Sequence, residues 1–104
     1  MMNKEKLITC FYQAEKNKAK FIGLAIRVPD ADQPEVIINP YENFDVKLDY
    51  YQKTYDEDLS HNAVGDFLRI VGFTYGDSFS DIESYLLKGG EKNEQDYKSE
   101  STKE

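Results

Sequence analysis

The segment FTYGDSF, residues 73–79, places a serine where an apolar run passes through Gly76 and Asp77 into helix-like sequence. Asp58-Leu59-Ser60-His61 sets a carboxylate three residues before the chain's single histidine. A serine on a sharp turn, a histidine base and an orienting aspartate are the parts of nucleophilic acyl transfer. That reaction also needs donors for the oxyanion, often its largest catalytic contribution, and no block of the sequence supplies them. Ser78 and Asp81 equally have the spacing of a helix capping box, a reading that needs nothing further. A lone His61 excludes a multi-histidine metal centre, and Asp56 and Asp58 beside it lack the glycine and spaced oxygen ligands of a calcium loop. Cys10 can form no internal disulfide, and a reaction there has only His61 available as a base. The glycines at 72 and 76 are not followed by Lys-Ser or Lys-Thr, so nucleotide hydrolysis is not supported. The expectation is a non-enzymatic protein with no catalytic residue, metal or cofactor.

FTYGDSF nonetheless resembles the nucleophile block of GDS(L)-type serine hydrolases, in which such a serine attacks an ester and an Asp-x-x-His block supplies acid and base. The resemblance implies Ser78 as nucleophile, with Asp58 and His61 as its partners. In that family the Asp-x-x-His block follows the serine, whereas here it precedes it. The family's glycine and asparagine blocks, which stabilise the oxyanion, have no counterpart.

Recognition by charge is the other chemistry open to this chain. The net charge is −7 over 104 residues, which disfavours nonspecific attraction to nucleic acid or anionic lipid. A charged partner should therefore be a protein with a basic surface. The acidity is uneven: residues 30–88 hold 13 acids against four basic residues, while residues 1–29 are net basic. Within the acidic region, YENFDVKLDYYQKTYDEDL (41–59) reads as an amphipathic helix. At about 100° per residue, Phe44, Leu48, Tyr51 and Tyr55 form one stripe, and Asp45, Asp49, Gln52 and Asp56 form another beside it. Asp45 and Asp49 lie one turn apart, on the order of 6 Å along the axis and close to the spacing of phosphates on a strand. Asp56, Glu57 and Asp58 close the segment, where a helix dipole repels negative charge. Tyr50 lies off the buried stripe and suits an interface anchor. Asp45, Asp49, Tyr50, Asp56, Glu57 and Asp58 are accordingly the expected protein-binding residues, with a nucleic-acid mimic as the sharper version.

The elements that position these residues follow from periodicity. Residues 3–17 put Leu7, Ile8, Phe11 and Ala14 at helical spacing behind Asn3 as N-cap. Residues 20–28 alternate as a strand, and residues 35–39 form a second strand across the turn PDADQP. Asn39 is expected to cap the next helix, with Pro40 at its first position. Leu59 to Ala63 reads as an exit loop, and residues 67–75 as a third strand with apolar residues on both faces. A last helix starts at Asp77 or Ser78, and Gly89 and Gly90 stop it. The order helix, strand, strand, helix, strand, helix gives an α+β domain over residues 1–88, with a three-stranded antiparallel sheet of order 2-1-3. Residues 89–104 have no aliphatic residue and many charges and are expected to form a disordered tail. No stretch suits a membrane span or signal peptide, so a cytoplasmic location is expected. A homo-oligomer in which another copy covers the third strand's second apolar face is a further expectation.

NKEKLI, INPYENFDVKLDYYQKTYDEDL and VGFTYGDSFSDIESYL together resemble small uncharacterised proteins of phages and mobile elements of Gram-positive bacteria, across most of residues 3–87. The resemblance transfers no functional residue. It implies a setting in which small acidic proteins block host nucleases or regulators, anti-CRISPR inhibitors among them.

Overall fold

Three turns of helix begin where Asn3 Oδ1 accepts the Lys6 N–H at 2.9 Å, satisfying one of the donors a helix start leaves open. In the computed structural model, which describes residues 2–88, this helix is α1, Lys4–Lys16. The remaining elements are β1 (Phe21–Arg27), β2 (Glu35–Pro40), a 3-10 turn (Tyr41–Asn43), α2 (Phe44–Thr54), β3 (Ser60–His61), β4 (Gly65–Gly76) and α3 (Phe79–Leu87). The class is α+β, with one antiparallel sheet of order β2-β1-β4-β3. The expected disordered tail lies outside the described residues.

Two expectations need correction. The sheet has four strands, because Ser60–His61 pairs with β4 where an exit loop was expected. The element order gains that strand between the second helix and the long strand. Two residues carry too little pattern to be read as a strand. Asn39 and Pro40 do not start a helix either. They continue β2, opposite Ile22 and Phe21, and the Tyr41 N–H donates to the Lys20 carbonyl at 2.9 Å. Pairing with β1 therefore overrides the local Asn-Pro signal. The 3-10 turn intervenes, and α2 starts at Phe44 without a side-chain cap.

Helices cover both faces of the sheet. On one side, Ile22, Leu24 and Ile26 of β1 pack with Leu7, Phe11 and Ala14 of α1 and with Phe44 and Tyr51 of α2. On the other, Ile82 and Leu86 of α3 pack on Ala25, with Val36, Ile38 and Val71 at the margin. A Cβ on Gly23 would lie 2.5 Å from Ile82 Cγ2, so α3 sits directly on the β1 backbone. The second apolar face of β4 is thus covered within the chain, not by another copy.

A bulge explains why β4 looked apolar on both sides. Ala25 pairs with Gly72 but Ile26 pairs with Ile70, leaving Val71 as an extra residue. The strand's alternation changes phase there. Leu68 and Ile70 before the bulge, and Phe73 and Tyr75 after it, all pack toward α1 and α2, while Val71 packs toward α3.

Candidate functional site

α2 hides the stripe expected of it. Phe44, Tyr51 and Tyr55 are buried, and Leu48 is partly so. Val46 and Tyr50 point the other way, one turn apart, with exposures of 69% and 49%. Lys47 Nζ stands 5.7 Å from the centroid of the Tyr50 ring, a cation–π distance. Asp45 and Asp49 flank this apolar pair and are exposed. Asp49 is not bare, since Lys53 Nζ lies 3.2 Å from its Oδ2 as an exposed pair one turn on. Such pairs contribute about 0.3–0.5 kcal/mol. Tyr50 is where an interface anchor was expected. Val46 was missed, although an aliphatic residue opposite a helix's buried stripe is itself a signal.

The row of aspartates does not run on to Asp56. α2 ends at Thr54, and Tyr55 is extended, with φ −118° and ψ 145°. Asp56, Glu57 and Asp58 instead lie in the turn that leads to β3, and the carbonyls at the end of α2 are all occupied. Tyr51 O accepts from the Tyr55 N–H at 3.1 Å, Gln52 O from Lys4 Nζ at 2.7 Å, Lys53 O from Asn62 Nδ2 at 2.6 Å and Thr54 O from the Asn62 N–H at 2.8 Å. The negative pole of the helix is therefore met by an ammonium and two amide donors. The three acids lie past it and do not oppose it directly.

Asp58 has a structural duty in that turn. Its Oδ1 accepts from the Ser60 N–H at 3.0 Å and from Ser60 Oγ at 2.6 Å, and its own carbonyl accepts from Arg69 Nη1 at 2.7 Å. Leu59, between them, is buried with φ of 70°, a conformation costly for a non-glycine residue and held here by its neighbours. Arg69 also binds Asp66, whose Oδ1 accepts from Arg27 Nη2 at 2.9 Å. Glu57 and Asp56 are exposed, and neither has an ion pair among the described residues. Of the six expected site residues, Asp45, Asp49 and Tyr50 share the outer side of α2. Asp56 and Glu57 sit past its end, and Asp58 is committed to the fold.

These bonds have a sign in pH. The Ser60 hydroxyl and N–H, then Arg69, hold the Asp58 carboxyl below the usual range, and the Arg69 hydrogen bond does so for Asp66. A depressed carboxylate stabilises the fold above its unfolded pKa of about 4 and loses that contribution as pH falls through the folded value. Asp66→Asn should therefore be less stable than wild type at neutral pH, and the gap should close in acid below about pH 4. Urea midpoints measured from neutral pH downward check this, and a gap that does not narrow contradicts it.

The hydrolase constellation is not assembled. His61 pairs with Gly65 at the start of β4, whereas Ser78 follows its far end, so a strand of 12 residues separates them. At about 3.3 Å per residue the gap is roughly 35 Å. Ser78 Oγ accepts the Asp81 N–H at 3.2 Å as a helix cap. His61 Nδ1 accepts the Ala63 N–H at 3.0 Å, and its ring packs edge-on against Tyr55. Burial pushes the Cys10 thiol up to about 12, which leaves it protonated at neutral pH and a poor nucleophile. Among the described residues, no group of three or more His, Cys, Asp or Glu is placed to hold a metal. No helix among them is long and apolar enough to cross a membrane.

No protein-family model matches the chain, and comparisons with curated proteins and with solved structures give no match.

Proposed function

We propose that the chain is a non-enzymatic protein-binding module that docks through the outer side of α2 onto a partner with a basic surface. The observation that carries this reading is the pairing of Val46 and Tyr50, exposed one turn apart, with Asp45 and Asp49 along their flank. Apolar and aromatic side chains supply contact area when desolvated, and the acids select a partner of opposite charge and speed its approach. Asp56 and Glu57 extend the acidic border beyond the helix end. A nucleic-acid mimic finds less support. Its row reduces to two helical aspartates, one of them paired with Lys53. A setting as a regulatory protein of a phage or mobile element is supported by sequence style only.

The test is a pull-down from host lysate with three baits: wild type, the triple reversal Asp45→Lys, Asp49→Lys and Asp56→Lys, and the double truncation Val46→Ala and Tyr50→Ala. Each variant should lose the captured partner by at least about tenfold, since central aromatic anchors carry 2 kcal/mol or more. All these side chains are exposed, so circular dichroism should be unchanged. Undiminished capture by both variants removes α2 as the docking surface.

A further inference from the structure

The phase of the hydrogen bonds shows which backbone groups of β2 lack partners. In an antiparallel pair, alternate residues turn both their N–H and C=O toward the neighbouring strand. The Tyr41 N–H donates to the Lys20 carbonyl, and these residues lie on the same register as Ile22 opposite Asn39 and Leu24 opposite Ile37. Asn39, Ile37 and Glu35 therefore direct their backbone groups to β1. The other side of the sheet gives the same phase. The Ile70 N–H donates to the Leu59 carbonyl, away from β1, so Ile26 opposite it turns toward β2. Val36 and Ile38 consequently direct their N–H and C=O groups off the sheet, and no hydrogen bond among the described residues reaches them.

Between Pro34 and Pro40, which close its two ends, this edge has little of the usual protection. It is the regular run EVIIN, with no lysine, no bulge and no covering strand, and its single charge is Glu35 at one end. The opposite side of the sheet is partly closed by β3. A second observation selects an occupant. Asn39 is 5% exposed and its Nδ2, a buried donor, has no hydrogen-bond partner. Its amide lies beside the Tyr51 hydroxyl and lowers the pKa of that phenol, which burial pushes up to about 12. The contact nevertheless falls short of hydrogen-bond geometry at Nδ2.

We infer that a second copy of this chain pairs with β2 through its own β2, antiparallel and across a two-fold axis at Ile37. In that register Val36 faces Ile38 of the second copy, so the outward groups bond each other in reciprocal pairs. Glu35 of the second copy falls opposite Asn39 in a non-hydrogen-bonded pair, with Cβ atoms about 4.5–5.5 Å apart. Its carboxylate is there an acceptor for the orphaned amide. Pro34 and Pro40 face one another at the ends, which confines the ladder to one strand length. Both copies use the same surface, so the contact closes at two chains and does not propagate. This pairing is independent of the docking proposed for α2.

Sedimentation of the full chain should show a concentration-dependent dimer. Val36→Pro removes a donor that points away from β1, so the β1 ladder is kept while the dimer is lost. Glu35→Ala should raise the dimer dissociation constant about a hundredfold, since the two-fold axis makes the Glu35–Asn39 contact twice and each charge-assisted hydrogen bond contributes about tenfold. In a Cys10→Ser background, Ile37→Cys should cross-link two chains on mild oxidation, and Ile38→Cys should not. The cross-link decides the matter should Val36→Pro unfold. A chain that stays monomeric at millimolar concentration overturns the proposal, as does a dimer that survives a folded Val36→Pro or cross-links through position 38 instead of 37.

Discussion

Replacing Phe11 with alanine should lower the unfolding free energy by about 3–5 kcal/mol, the range for removing a large buried aromatic ring. Phe11 is buried on the inner side of α1, where its ring meets Phe44 edge-on at 6.1 Å and Tyr51 at 6.2 Å. Both partners belong to α2, so the ring joins the two helices over the sheet. A slide of α1 along α2 to fill the space is opposed at the far end, where Lys4 Nζ donates to Gln52 O of α2 and the Lys4 N–H to Glu57 O in the turn beyond it. A cavity that cannot collapse gives a cost near the top of the range. Domains of this size have about 5–15 kcal/mol in all, so the variant should be marginally folded. Urea denaturation should show a much lower midpoint at an unchanged slope. A loss under about 1 kcal/mol means that the two helices do not share this ring.

Gly23→Val should be about as damaging, for the opposite reason. Gly23 lies in the centre of β1 beneath α3, and its added Cβ would meet Ile82 Cγ2 at 2.5 Å and Leu86 Cδ1 at 3.0 Å. A side chain in place of glycine stabilises a strand by about 0.5–1 kcal/mol through the unfolded chain. Overpacking costs about 1–3 kcal/mol and more when the neighbours are themselves buried, as Ile82 and Leu86 are. The clash wins. Gly23→Ala should show the same sign at smaller size, and adding Ile82→Ala, which removes the clashing Cγ2, should recover part of the loss. The coupling between the two changes in a double-mutant cycle is the measurement. Strict additivity contradicts direct contact between α3 and the β1 backbone.

The stripes of α1 and α2, the caps at Asn3 and Ser78 and the three longer strands were all legible, because each depends on residues near one another in sequence. What was not legible depends on distant partners. Asn39-Pro40 has the local form of a helix start, but a hydrogen bond from Tyr41 to Lys20 carries the strand through it. The acids at 56–58 looked misplaced because the groups that occupy the end of α2 come from Lys4 and Asn62, and Asp58 finds Arg69 across β3 and β4. At the candidate site, Tyr50 and the two helical aspartates could be placed from the wheel. The end of the helix at Thr54, which detaches Asp56 from their row, could not.

The extra residue in β4 makes chain length a packing variable. Were Val71 accommodated in a regular ladder instead of a bulge, Phe73 and Tyr75 would swing to the side where Leu86 lies 3.4 Å from a Cβ built on Gly72, and the small residues Gly72 and Thr74 would take their places under α1. Bulk would be exchanged for emptiness in both layers at once. Deleting Val71 itself would leave Ile70 and Gly72 on successive registers and every other side chain on its present face, so among descendants of the gene a one-codon gap should be found here sooner than at Ile70 or Phe73, whose loss removes a side chain packed toward α1 and α2.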